Sequence, residues 1–210
     1  MNGSIRKRAI LIAGLWAALL QAAPVSPQGL RLAAAYDAMD VEHHWLPGQR
    51  IDWRSGDPAV PAHLGKTHCS AFVAAACERL DIYILRPPEH GEVKLANAQA
   101  AWLAGEGADR GWRPVGSPRE AQELANQGQV VVAVYASPNP ERSGHIALVR
   151  PADKPEALLE EEGPQVVQAG AENAASASLK VGFRHHREAW ASDKDFRVSF
   201  YVHAGPASGE

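Results

Sequence analysis

The feature that most constrains the fold is a series of short β-branched runs confined to the second half of the chain. The segments Q-V-V-V-A-V-Y (residues 129–135) and H-I-A-L-V-R (145–150) flank a turn-rich stretch, which predicts an antiparallel hairpin. Helical signals come earlier in the chain, so the order of elements predicts an α+β domain built on an antiparallel sheet. Further strands are predicted at 165–169, 179–184 and 196–203.

The first half of the chain carries the helical patterns. Apolar spacing or composition predicts helices at 28–42, 69–80 and 96–103, and S-P-R-E at 117–120 is a helix start that leads to a fourth. Between the first two helices, residues 43–66 form a loop rich in glycine, proline and tryptophan. An acidic loop is expected at residues 151–162.

The N-terminus has the three parts of a secretory signal peptide. R-K-R at residues 6–8 precedes an apolar run at 9–20, and two alanines follow at 22–23. We therefore expect residues 1–23 to be a signal peptide and residues 24–210 to form a single domain in the periplasm or outside the cell. After cleavage no stable membrane insertion is expected, and an uncleaved anchor is the alternative.

The overall charge restricts the partners of the chain. Its 210 residues carry a formal net charge of -3, so nothing in the composition favours nucleic-acid binding. The 46% hydrophobic and 21% charged content is that of an ordinary globular protein.

The two cysteines occupy different places on one predicted helix. Cys69 and Cys77 are eight residues apart in an alanine-rich segment, which would separate their Cα atoms by about 12 Å. A disulfide requires a separation of less than about 7 Å, so we expect no bond and interpret Cys77 as a core residue. Cys69 begins the helix, where free N–H groups favour a thiolate and are expected to lower its pKa.

Two further residues complete a candidate catalytic site around Cys69. His145 opens a predicted strand after Ser143-Gly144 and is the candidate base. Gln168 lies on the following strand, where an antiparallel register would place it beside His145 to orient the imidazole. If the register differs, Glu172 or Asn173 is the alternative third residue.

Three segments in this order resemble the NlpC-type and CHAP cell-wall cysteine peptidases: T-H-C-S-A-F-V at 67–73, S-G-H-I-A-L-V at 143–149 and V-V-Q-A-G at 166–170. The resemblance implies a papain-like domain whose nucleophile helix packs on an antiparallel sheet. It also implies a Cys-His-polar triad and hydrolysis of peptide or amide bonds in peptidoglycan stem peptides, without a metal or organic cofactor. His68 stands where the family usually has an acidic residue, and Ala71 replaces a frequent glycine.

Other aromatic and histidine residues near Cys69 are candidates for substrate binding. Trp45 and Trp53 are predicted to wall a groove or to belong to the core, and His63 and His68 are further candidates. Two other functions remain open on the same fold. One is a thiol acyltransferase or transglutaminase-like enzyme, and the other is a catalytically inactive cell-wall-binding or immunity module. An inhibitor or immunity partner is also left open.

Overall fold

The computed structural model describes residues 24–59, 67–186, 189 and 197–205. The predicted signal peptide, residues 1–23, lies outside the described residues. In the part that is described, no helix has the length and apolar character needed to span a membrane. The described helices are α1 (Pro27–Asp37), α2 (Cys69–Arg79), α3 (Leu95–Ala104), α4 (Pro118–Asn126), α5 (Glu156–Glu162) and α6 (Leu179–Gly182), with a short 3₁₀ helix at Glu106–Arg110.

Six strands form one open sheet, and every pair of neighbours is antiparallel. Their order across the sheet is β1-β6-β2-β3-β4-β5, so β2 to β5 form a meander and the last strand returns beside β2. The α+β prediction is confirmed. The strands are β1 (Trp112–Val115), β2 (Val130–Tyr135), β3 (His145–Val149), β4 (Gln165–Gln168), β5 (Ala174–Ser178) and β6 (Ser199–His203).

The central strands are covered on both faces. All residues of β2 and β3 are buried, which explains why these segments lack the alternation of polar and apolar residues seen in a half-exposed sheet. On one face Ile146 and Leu148 belong to the same cluster as Phe72 of α2. On the other face Ala147 and Val149 pack in a second cluster that includes Phe183. Helix α2 therefore lies on the first face.

Two helix predictions are confirmed by their local geometry. Cys69 begins α2, and its two cysteines are free thiols at opposite ends of the buried stretch of the helix. Ser117 caps α4, because its hydroxyl oxygen accepts a 3.1 Å hydrogen bond from the Glu120 N–H. The Glu120 carboxylate in turn accepts from the Gly116 N–H at 2.9 Å, so the capping signal predicted from S-P-R-E forms.

Two predictions about secondary structure are wrong, and two strands were not predicted. The predicted strand at 179–184 is helix α6, because the Ser178 hydroxyl accepts from the Val181 N–H and caps a helical turn. The predicted acidic loop contains α5. Strands β1 and β5 were not predicted, since β1 contains a proline at the sheet edge and β5 has the sequence A-A-S-A-S, without β-branched residues.

Candidate active site

Cys69 is the first residue of α2 and is almost completely buried, with 4% of its surface exposed. The residue before it, His68, is the N-cap, and its Nε2 donates to the Gln49 carbonyl at 2.8 Å. This bond ties the preceding glycine-rich loop to the start of the helix. His68 is itself buried, and its hydrogen bond shows that it helps to hold the loop against the helix.

The surroundings of the Cys69 thiol have opposing effects on its pKa. Burial is the largest influence and raises it, while hydrogen bonds from the backbone N–H groups of Ile146, Ser70 and Cys69 itself lower it. The net direction is upward. Our expectation of a lowered pKa was therefore wrong, because the cost of removing a thiolate from water exceeds the gain from the helix N-terminus.

The contact with Ile146 places the thiol at the beginning of β3. Backbone N–H groups of a strand lie in the plane of the sheet, so the sulfur is next to the peptide that joins His145 to Ile146. Gly144 comes just before and has no room for a side chain, since a Cβ there would lie 2.1 Å from the Tyr135 carbonyl oxygen. This close approach explains the glycine in the S-G-H sequence.

His145 is buried at the start of β3 and forms a hydrogen bond with Gln168. Its Nε2 lies 2.7 Å from the Gln168 Oε1, and because a carbonyl oxygen only accepts, the imidazole donates. The Gln168 amide nitrogen donates to the Glu172 carbonyl at 3.1 Å, which fixes the orientation of the amide. The neutral imidazole therefore carries its proton on Nε2 and leaves Nδ1 free to act as a base.

The register of the strands explains this contact. Leu148 pairs with Val167 and Val149 with Val166, so Gln168 is opposite Ala147, on the same face as His145 and diagonal to it. The two residues that were alternatives for the third position of the site, Glu172 and Asn173, use their side chains in other contacts. Asn173 donates to the Val41 and His44 carbonyls at 2.7 and 2.9 Å, and the Glu172 carboxylate pairs with Arg184.

Burial sets the protonation state of His145. It lowers the pKa of the imidazole to about 4, and the hydrogen bond to Gln168 offsets only part of this effect. At neutral pH the site therefore contains a neutral thiol and a neutral imidazole. A neutral imidazole can accept a proton from a thiol in acyl-transfer chemistry. Alternation along β3 directs the His145 side chain to the face of Phe183, opposite the face that α2 covers.

Two aromatic residues around His145 were not identified from the sequence. Phe183 meets the imidazole edge to face at 4.6 Å, and His186 stacks on it with ring centroids 5.3 Å apart and an interplanar angle of 17°. They were missed because residues 179–184 were predicted to be a strand, which would have directed Phe183 elsewhere. The signal in the sequence was the H-H pair at 185–186, which does not have the spacing of a zinc site and is interpreted as solvated surface or as part of a substrate groove.

The tryptophans proposed to wall a groove belong to the core. Trp45 is fully buried, its Nε1 donates to the Trp53 carbonyl at 3.0 Å, and its ring meets Phe72 at 5.3 Å. Trp53 is also buried, with the Arg54 guanidinium 4.4 Å above its ring. The remaining candidate for substrate binding, His63, lies outside the described residues.

Comparison of the chain with protein-family models and with curated proteins finds no match. Among the residues that the structure describes, no group of three or more His, Cys, Asp or Glu side chains is arranged to hold a metal ion.

Proposed function

We propose that this chain is a cysteine hydrolase with a papain-like, NlpC-type architecture, and that it cleaves peptide or amide bonds. The observation that carries the proposal is the 2.7 Å hydrogen bond from His145 to Gln168. The Cys69 thiol contacts the backbone N–H of Ile146, the residue that follows His145 on β3. A nucleophile, a base and a group that orients the base are the three parts that thiol catalysis of acyl transfer requires.

In the proposed mechanism the thiol proton of Cys69 moves to Nδ1 of His145 as the sulfur attacks the substrate carbonyl. The carbonyl π electrons move to oxygen, and backbone N–H groups at the start of α2 stabilise the oxyanion. His145 then gives its proton to the leaving amine as the C–N bond breaks, which leaves a thioester. A water molecule loses a proton to His145 and attacks the thioester, and the thiol recovers that proton as the acid leaves.

The pKa directions indicate when the proton moves. Because the Cys69 pKa is raised and the His145 pKa is lowered, the thiolate–imidazolium pair is disfavoured before substrate binds. Proton transfer is then coupled to the attack on the carbonyl, where the developing charge passes to the oxyanion. We expect a broad pH profile that falls on the acid side as His145 becomes protonated.

The substrate class is proposed from the sequence. The three segments that resemble cell-wall peptidases and the predicted signal peptide favour a peptidoglycan stem peptide, encountered in the periplasm or outside the cell. Peptides with free or amidated carboxyl groups both belong to this class. Neither a metal nor an organic cofactor enters the proposed chemistry.

Digestion of purified peptidoglycan tests the proposal. The mature protein should release peptide fragments that mass spectrometry identifies by one new amine and one new carboxyl terminus. The Cys69→Ala and His145→Ala variants should release none. Cys69→Ala should keep a thermal midpoint close to that of the parent protein, whereas His145→Ala leaves the buried Gln168 Oε1 without its donor and should lower the midpoint. Cys77→Ala is the matched control and should retain hydrolysis. Equal hydrolysis by Cys69→Ala and the parent would refute the proposal.

Two observations favour a second candidate, an inactive cell-wall-binding module on the same fold. Cys69 is buried, and alternation along β3 places the His145 side chain on the face of Phe183, opposite the face that α2 covers. This candidate predicts that the parent and Cys69→Ala proteins co-sediment equally with insoluble peptidoglycan and that neither releases fragments. Fragment release that depends on Cys69 would exclude it.

A further inference from the structure

The imidazole of His186 lies directly against that of His145. The two rings are nearly parallel, with centroids 5.3 Å apart and an angle of 17° between their planes. The Tyr135 ring, at the end of the strand that pairs with β3, lies 5.5 Å from His186. Two histidines are thus stacked at the start of β3, whereas the mechanism above uses only one of them.

The segment that carries His186 is attached to the same turn that orients Gln168. The His186 N–H donates to the Phe183 carbonyl at 2.8 Å, and the preceding Arg184 forms an ion pair with the Glu172 carboxylate. The Glu172 carbonyl is the group that accepts from the Gln168 amide. Positioning of His186 and positioning of Gln168 therefore share one support.

We propose that His186 is a positioning residue of this site, whose ring covers the His145 imidazole, excludes water from it and keeps it uncharged. The proposal deepens the function proposed above and rests on it, because it concerns the group assigned there as the base. His186 need not touch the substrate to have this effect.

The physical reason is desolvation together with repulsion between like charges. His145 is shielded by Phe183 and His186, and burial is the largest cause of its lowered pKa. His186 is itself only half-buried, and its pKa is lowered to about 4 by burial, then by His145 and His185. A proton on either ring of the stacked pair raises the free energy of a proton on the other.

Among the residues that the structure describes, few other ionisable groups face the stacked pair. Tyr135 comes from β2, and His185 comes from the same segment as His186. Arg184 and the Glu172 carboxylate neutralise one another nearby. None of these described groups supplies a negative charge that would stabilise an imidazolium on His145, so the proposal varies the cover that His186 provides.

The test is an NMR titration of the His145 imidazole, which requires no turnover, in two variants of His186. In the parent protein the His145 pKa should be near 4. In His186→Ala water reaches the ring, and the titration midpoint should move upward by about one pH unit or more. In His186→Phe an aromatic ring still covers His145, so the midpoint should remain close to the parent value. His185→Ala, which removes the exposed neighbour, is the matched control and should also leave it close to the parent value.

The acid limb of the hydrolysis rate should follow the same pattern, moving to higher pH in His186→Ala and staying in place in His186→Phe. An unchanged His145 midpoint in His186→Ala would overturn the proposal, as would an equal shift in His186→Phe. If His186→Ala does not fold, the test uses His186→Phe alone, and an upward shift of the His145 titration midpoint in that variant would overturn the proposal. Failure of the hydrolase proposal can be distinguished from failure of this one. The hydrolase proposal fails if hydrolysis does not depend on Cys69 or if there is no hydrolysis, whereas the His145 titration can be measured whether or not the protein is an enzyme.

Discussion

Gln168 accepts a 2.7 Å hydrogen bond from Nε2 of His145, although the two residues are 23 positions apart in the chain. Both side chains project from the same face of adjacent antiparallel strands. The Gln168 amide is held in turn by the Glu172 carbonyl, so it presents its oxygen and not its nitrogen to the imidazole. This order of donors and acceptors determines the tautomer of His145.

Replacement of Gln168 by alanine should therefore reduce catalysis without preventing folding. Without the Gln168 acceptor, the imidazole can rotate, or it can carry its proton on Nδ1. In that tautomer Nδ1 can no longer accept a proton from Cys69. By analogy with the loss of groups that orient reactive ligands, we expect kcat/KM to fall about 10- to 100-fold. Steady-state hydrolysis of a soluble stem peptide measures this effect.

The matched control is Gln165→Ala at the other end of β4, where the amide donates to the Ser176 hydroxyl on the neighbouring strand. It should change kcat/KM little, because Gln165 is remote from the imidazole. If both variants lose activity equally, the loss reflects damage to β4 and not the tautomer of His145.

Gly182 should be required for the orientation of the Gln168 side-chain amide, because it leaves space for that amide. A Cβ at this position would lie 2.9 Å from the Gln168 Oε1, the atom that accepts from His145. Gly182→Ala should therefore push the amide away and lower kcat/KM in the same direction as Gln168→Ala. The control is Gly91→Ala, since a Cβ at Gly91 meets nothing within 4 Å. Equal activity of the two glycine variants would contradict this view of the packing.

The sequence predicted those parts of the site that depend on local signals. The alanine-rich segment after Cys69 forms the predicted helix, and the β-branched runs around His145 and Gln168 form neighbouring strands in a register that brings the two side chains together. Short periodic segments specify such elements directly. The α+β class was predicted in the same way, from the order of these locally specified helices and strands along the chain.

What the sequence did not predict depends on tertiary packing. His186 meets His145 at the end of a segment in which Ser178 caps a helical turn where a strand was predicted. The raised Cys69 pKa follows from burial under the rest of the fold, which outweighs the local effect of the helix start. Trp45, in a loop typical of a binding surface, is instead fully buried against Phe72.

The two cysteines should differ in reactivity toward iodoacetamide. Burial raises the pKa of Cys77 to about 12, whereas the raised pKa of Cys69 is partly offset by three backbone N–H groups. Because the thiolate is the reactive form, Cys69 should be alkylated faster than Cys77. Peptide mass spectrometry of the native protein, sampled over time at mildly alkaline pH, measures both rates.

The single-thiol variants Cys77→Ala and Cys69→Ala provide the controls for this labelling. The first should retain the fast reaction and the second should show only the slow one. Faster or equal labelling of Cys77 would remove the support for Cys69 as a nucleophile and would favour the wall-binding candidate.

The free energy of unfolding should fall as the pH is lowered through the range in which unfolded histidine titrates. His145 has a pKa of about 4 in the folded protein, compared with an ordinary value of 6.5. Between these values the unfolded chain binds a proton that the folded chain does not, so stability is fully present above the upper value and is lost toward the lower one. For His145 the full loss is on the order of 3 kcal/mol, of which about 2 kcal/mol is expected by about pH 5. His186 adds a smaller loss of stability in the same pH window, because it is only partly buried.

Urea denaturation at neutral pH and at about pH 5 measures the change in the free energy of unfolding, and His145→Gln should remove most of the part that His145 contributes. The control is His43→Gln on the surface, where Asp40 raises the pKa of the histidine, so its removal should not reduce the acid-side loss. An equal loss of stability in the parent and His145→Gln proteins would mean that the imidazole is not held neutral by burial, and the protonation states assigned to the site would have to be reversed.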